Sequence, residues 1–218
     1  MSIKENIENL FKKIPEPVKL IAATKRRSIK EIQEAISAGI RIIGENYVNE
    51  AAEKFQILGK NVEWHLIGHL QTNKIKQAIE IFDMIETLDS LHLASKLNEE
   101  IRKTKRKMPV LIEINSGREE NKTGVLPEDC DGFIEKMDRF ENLRVLGLMT
   151  MGPLVKNPED IRQFFRLTRE IFEKTAGKNI PGIKMEYLSM GMTDTYKIAI
   201  EEGANIVRVG TLIFGPKN

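Results

Sequence analysis

Along this chain apolar residues fall into short continuous runs, and between the runs they recur every third or fourth position. The first pattern suits strands buried on both faces; the second suits amphipathic helices. Eight runs read as strands: VKLIAAT from Val18, IRIIGE from Ile40, VEWHLIG from Val62, DMIETL from Asp83, PVLIEIN from Pro109, LRVLGLMT from Leu143, MEYLSM from Met185 and NIVRVG from Asn205. The clearest helix places Ile161, Phe164, Phe165, Thr168, Ile171 and Phe172 on one stripe, behind the turn-and-cap string NPED at Asn157.

Alternating strand and helix predict an α/β fold, a single-domain (β/α)8 TIM barrel, compact at 218 residues where ~250 is typical. Only TLIFGPKN follows the eighth strand, too short for a full last helix. The segment MSIKENIENLFKKI, with Ile3, Ile7, Leu10, Phe11 and Ile14 at helical spacing, is therefore expected to cover part of the wall. The reading is one domain over 1–218, with 1–15 a helix packed on the barrel. An open doubly wound sheet is the alternative. Against it, no G-x-G-x-x-G follows a strand, and GIRIIGEN at Gly39 lacks the lysine of a P-loop.

A hydrophobic content of 41% supports one sizeable core. The 34 Lys and Arg nearly balance 32 Asp and Glu, so a net charge of +2 gives no global pull toward nucleic acid or anionic membrane. Any basic site is local. The single cysteine, Cys130, cannot form an internal disulfide, and no thiol cluster is available for a metal, which favours a reducing cytoplasm. No apolar run approaches the ~20 residues that cross a bilayer, and the N-terminus does not read as a signal peptide.

In a barrel the chemistry gathers where the strands end. Alternation along the first strand puts Ile21, Ala23 and Lys25 on one face, expected to be the axial one, and Leu20, Ala22 and Thr24 on the other. A partly desolvated lysine beside Arg26 and Arg27 is placed for Schiff-base chemistry; the plainer reading is a lysine reaching to water. At the ends of strands seven and eight, where barrels commonly bind phosphate, Gly210 permits close backbone approach, and Ser189, Gly191 and Thr211 offer N–H or hydroxyl donors. Alternation also sets Arg208 apart from Val207 and Val209, facing an interior where it needs a partner. His65 and His69, four apart on a strand and its exit, lack the helix and glutamate of a zinc motif, so packing or ring-edge hydrogen bonds are expected and no metal site. The basic run RKTKRK, Arg102 to Lys107, falls on a helix-to-strand connection opposite the rim and reads as a solvated loop.

Several motifs in order, AATK, GENYVNEAAEK, WHLIGHLQTNK, NKTG, GLMTM and LSMGMTDTYKIAIEEGANIVRVGTLIFG, resemble those of the pyridoxal phosphate (PLP) homeostasis proteins. That family's barrel is similar to the N-terminal domain of bacterial alanine racemases. The resemblance runs from Lys19 to Gly215. It implies that Lys25 holds PLP as an internal aldimine, that Asn46 lies near the cofactor, that Ser189, Gly210 and Thr211 contact its phosphate, and that Arg208 stands near the ring or phosphate. It implies a role in intracellular PLP homeostasis, supplying PLP-dependent apoenzymes, for a monomer or weak dimer. The alternatives are a small PLP-dependent amino-acid racemase and a Schiff-base aldolase acting through Lys25 on a sugar phosphate. Racemisation needs an acid or base on each face of a planar carbanion, and no motif marks Tyr47, Tyr187 or Tyr196 as the second one.

Overall fold

Parallel strands buried on both faces leave no edge to protect once they close on themselves, and the eight apolar runs do close. The computed structural model describes residues 1–178 and 180–216; Asn179, and Lys217 and Asn218 of the expected 1–218 domain, lie outside the described residues. Strands β1 (Lys19–Ala23), β2 (Ile42–Glu45), β3 (Glu63–Leu66), β4 (Met84–Leu88), β5 (Met108–Glu113), β6 (Leu143–Met149), β7 (Ile183–Ser189) and β8 (Ile206–Val209) pair in sequence order into a closed barrel. All pairings are parallel, and β1 joins β8 with Ile21 opposite Arg208 and Ala22 opposite Val209. The open doubly wound sheet is thereby excluded.

Helices α1 (Ile3–Phe11), α2 (Ile29–Ser37), α3 (Val48–Leu58), α4 (Ile75–Ile81), α5 (Leu91–Arg102), α6 (Cys130–Glu135), α7 (Arg162–Ala176), α8 (Tyr196–Glu201) and α9 (Thr211–Phe214) cover the sheet. Ser2 and Ser28 start α1 and α2 with capping boxes closed by Glu5 and Glu31, so local sequence sets where the chain turns helical. Asn157 caps a short 3₁₀ turn, Pro158–Ile161, that feeds α7, whose Phe165 and Thr168 are buried. The last helix is a single turn. Helix α1 packs against α2 and α9, and the Asn6 amide donates to the Ile213 carbonyl at 3.0 Å.

Two apolar layers result from the strand alternation. Leu20, Ala22, Ile43, Ile85, Val110, Val207 and Val209 face the helices, whereas Ile21, Ile42 and Ile206, with Tyr187 against them, fill the axis. Burying each large aliphatic side chain is worth about 1.5–3 kcal/mol, which offsets the cost of the charges that share the interior.

Candidate functional site

Strand β1 ends at Ala23, and Lys25 is the second residue beyond it, in the turn that carries the chain to α2. Its side chain is half-buried, and its Nζ lies 4.7 Å from the centroid of the Tyr47 ring, a cation–π contact. Among the described residues it pairs with no carboxylate. The expected grouping of Lys25 with Arg26 and Arg27 does not form. Arg26 is exposed and left-handed (φ 58°), which reverses the chain. Arg27 then folds back to donate to the Phe214 and Gly215 carbonyls at 3.3 and 2.5 Å, with its guanidinium 5.3 Å from the Phe214 ring. The carbonyls at the end of α9 lack helical donors, and that need captures the arginine.

The β1–β8 register brings Gly210 and Thr211 beside this turn. Gly210 has φ −117°, which any residue adopts, and a Cβ there would meet the Ala23 carbonyl oxygen at 3.3 Å and Cβ at 3.5 Å. The backbone does not demand glycine; the missing side chain instead leaves a cradle against β1. Thr211, exposed, opens α9, so its N–H has no helical acceptor. A hydroxyl and a free N–H beside a small cradle suit a phosphate oxygen, and the neighbouring amine suits an aldehyde, so these residues fit PLP.

Gly191 differs. Its φ is +88°, and a Cβ would lie 2.5 Å from the Ala199 Cβ and 2.9 Å from the Tyr196 Cα, so packing against α8 already requires glycine. Its carbonyl accepts the Arg208 N–H at 3.0 Å. The Ser189 side chain also departs from expectation. Its hydroxyl, fully buried, turns into the barrel, donating to Glu86 Oε2 at 2.6 Å and accepting from Arg208 Nη1 at 2.5 Å. Two buried charges compete for that oxygen, and in this arrangement it does not face the rim.

Arg208 projects inward as alternation requires, and finds more than the single salt bridge of the plainest explanation. Nη2 donates to the Thr150 carbonyl at 2.8 Å and approaches the Met151 sulfur at 3.5 Å, while Glu86 Oε2 stands 3.8 Å from Nη1. Glu86 Oε1 is 2.6 Å from His65 Nδ1, and His65 Nε2 is 2.9 Å from Glu63 Oε1. Burial works against a charged His65, but the hydrogen bonds and charges of Glu63 and Glu86 outweigh it and push the imidazole up to about 9. Burial likewise works to raise Glu86, yet His65, Arg208 and Ser189 bring it below the usual carboxylate range. With His65 protonated, two cations and two anions alternate and balance. Burial presses the Arg208 guanidinium downward, opposed by Glu86 and Glu113.

Over the barrel mouth lies a cavity of about 380 Å³ lined by Asn46, Glu113, Asn115, Thr123, Met151 and Met192, among others. Its lining includes Asn46 but not Lys25, Gly210 or Thr211, which stand on the adjoining part of the rim. Burial raises the Glu113 carboxyl, which accepts from the Thr123 hydroxyl at 3.2 Å. His69 Nδ1 is 2.9 Å from Asp89 Oδ2, so the two histidines go to separate carboxylates by ring-edge bonds. Of the tyrosines, only Tyr47 is beside Lys25: Tyr187 accepts from Lys19 at the start of β1 at 3.0 Å, and Tyr196 is buried at the first position of α8. The basic run spans the end of α5 and the link to β5, away from the rim.

A closed barrel with a lysine after its first strand, paired with no carboxylate among the described residues, and an arginine inside its last has the architecture of the alanine racemase N-terminal domain, and the family model of that description matches residues 1–218. Within that class the chain belongs to the pyridoxal phosphate homeostasis protein family. It is 40% identical over 200 residues to the pyridoxal phosphate homeostasis protein of Aquifex aeolicus, covering 91% of this chain and 87% of that one. It is also 40% identical over 204 residues to that of Haemophilus influenzae, covering 92% and 86%. Among solved structures, PipY of Synechococcus elongatus PCC7942 with PLP bound superposes with a TM-score of 0.90 at 31% identity, over 98% of this chain and 100% of that one. An alanine racemase of Clostridium difficile gives a TM-score of 0.80 at 16% identity, over 99% of this chain and 56% of that one, a likeness of fold.

Proposed function

We propose that this chain binds pyridoxal 5′-phosphate at the rim, in Schiff-base linkage to Lys25, and holds it for intracellular PLP homeostasis. The observation that carries the reading is the half-buried Lys25 amine, free of any carboxylate among the described residues and adjacent to the Gly210 cradle. When bound, the cofactor supplies an aldehyde that captures the amine and a ring that withdraws electrons. Thr211, through its hydroxyl and N–H, and the Gly210 backbone would hold the phosphate; Asn46 would border the ring from the cavity side. The Gly191 and Ser189 backbones shape the neighbouring wall. Arg208 never surrenders its proton, and so disfavours a proton on a ring nitrogen brought against it. That weakens the electron sink that amino-acid turnover requires.

Holding is favoured over racemisation because inversion needs an acid or base on each face of a planar carbanion, and of the tyrosines only Tyr47 stands at the lysine, where its ring is in contact with the Lys25 amine itself. The setting we infer is the cytoplasm, with PLP-dependent apoenzymes as recipients and the whole of 1–218 acting as one PLP-binding unit, as a monomer or weak dimer. Loading with PLP, borohydride reduction and peptide mass mapping test the assignment. The pyridoxyl group is expected on Lys25. A label on another lysine, with visible absorbance retained in Lys25→Ala, overturns it.

A further inference from the structure

Of the charged side chains in the segment GENYVNEAAEK, Glu45, Glu50 and Lys54 meet one another, and nothing in the cofactor reading uses them. Lys54 is almost fully buried, unusual for a lysine on a helix of a barrel wall. Its Nζ has three acceptors for its three protons: the Thr24 carbonyl at 2.7 Å, Glu45 Oε1 at 2.5 Å and Glu50 Oε1 at 2.8 Å. The same Glu50 oxygen accepts the Arg26 N–H at 2.5 Å, and Glu45 Oε1 accepts the Thr24 hydroxyl at 2.6 Å.

These contacts bracket Lys25. The carbonyl of Thr24 belongs to the peptide plane before the Lys25 Cα, and the N–H of Arg26 to the plane after it. Because each peptide is planar, fixing both planes fixes φ and ψ of Lys25 and hence the direction in which its side chain leaves the backbone. The next residue is held left-handed without being glycine, a conformation that persists only where its surroundings impose it. Burial holds the Glu45 carboxyl above its usual range, against Lys54, and its Oε2 has no hydrogen-bond partner. Without Lys54, two carboxyl groups would share the pocket with no cation.

We propose that Lys54, with Glu45 and Glu50, is a positioning residue for Lys25: a buried ion cluster that clamps both peptide planes of the cofactor-bearing lysine and so aims its amine. The proposal rests on the reading of Lys25 as the attachment point. The clamp acts through the backbone, so its effects are separable from those of cofactor contact.

The test compares Lys54→Met, Lys54→Arg, Glu50→Gln and Glu50→Ala with the parent chain in two measurements. The first, on PLP-free protein, is hydrogen exchange of the Arg26 amide. The second is the rate of absorbance growth on mixing with PLP, with mass mapping of the reduced adduct. Lys54→Met and Glu50→Ala are expected to speed Arg26 exchange at least about tenfold, the loss of roughly one charge-assisted hydrogen bond, and to slow attachment at Lys25 by a similar factor. Glu50→Gln keeps a side-chain oxygen for the Arg26 N–H and Lys54→Arg keeps the charge, so both should recover part of each effect. Should Lys54→Met fail to fold, Glu50→Ala, at a partly exposed position, decides alone. Folded variants with parental Arg26 exchange and parental attachment rate overturn the clamp. If the parent itself attaches PLP elsewhere, the function of Lys25 fails instead, and Arg26 exchange, which needs no cofactor, still decides whether Lys54 clamps the turn.

Discussion

His65 Nδ1 and Glu86 Oε1 stand 2.6 Å apart on neighbouring strands β3 and β4, both fully buried, and Glu86 passes the contact on to Ser189 and Arg208. The setting of the interior arginine therefore depends, through Glu86, on the protonation of a buried histidine on β3.

That dependence has a sign. His65 is raised from an ordinary 6.5 to about 9, so it binds its proton more tightly folded than unfolded. The stabilisation is complete below the unfolded value and is lost as pH rises through the folded one. Thermal melting should fall between roughly pH 6.5 and 9 in the parent chain and flatten over that window in His65→Gln. Glu86, lowered in the folded state, adds a second loss on the acid side as pH falls through its folded value. A parent melting curve that is level from pH 6.5 to beyond 9 would contradict the charged imidazole.

Two glycines separate fold from cofactor. Gly191→Ala places a Cβ at 2.5 Å from Ala199 in a left-handed backbone and should destabilise by about 1–3 kcal/mol or more, read by urea unfolding. Gly210→Ala meets Ala23 at 3.3 and 3.5 Å, so the fold should lose no more than ~1 kcal/mol while PLP affinity drops measurably. Unchanged affinity in Gly210→Ala moves the phosphate elsewhere.

Ser189 and Thr211 should likewise part company. Ser189→Ala removes a partner from both Glu86 and Arg208 and is expected to cost about 1–3 kcal/mol of stability. Thr211→Ala, at an exposed position, should leave stability within ~0.5 kcal/mol and loosen PLP retention. Equal effects of the two variants on stability would show that the inner hydroxyl is not the network member its distances make it.

Holding and turnover are distinguished in deuterated water. PLP-loaded protein incubated with L-alanine should show slow exchange at Cα at most, without catalytic inversion. Rapid racemisation abolished by Lys25→Ala would make the chain an enzyme, with Tyr47 the first residue to replace.

The barrel was legible in the sequence because its signal is periodic: eight buried runs and the stripe on α7 reflect the same inward and outward alternation that the structure realises. Arg208 was legible for that reason too. Less visible were the partners. Glu86 is one charged letter inside DMIETL, and His65 sits in WHLIGHL; that they meet across β3 and β4 is a matter of register between strands, which no local pattern records. The partners of the Ser189 hydroxyl and the Arg27 guanidinium are hidden for the same reason, since each meets a buried charge or a carbonyl far along the chain. Lys54 carries a local hint, four residues after Glu50, but its third and decisive acceptor is the Thr24 carbonyl.

The pairing of β1 with β8 sets Ile21 opposite Arg208, so the turn after β1 and the residues after β8, far apart in sequence, stand side by side. The lysine turn therefore meets the Gly210 cradle only where β8 closes the barrel onto β1, and any opening of that one seam parts them.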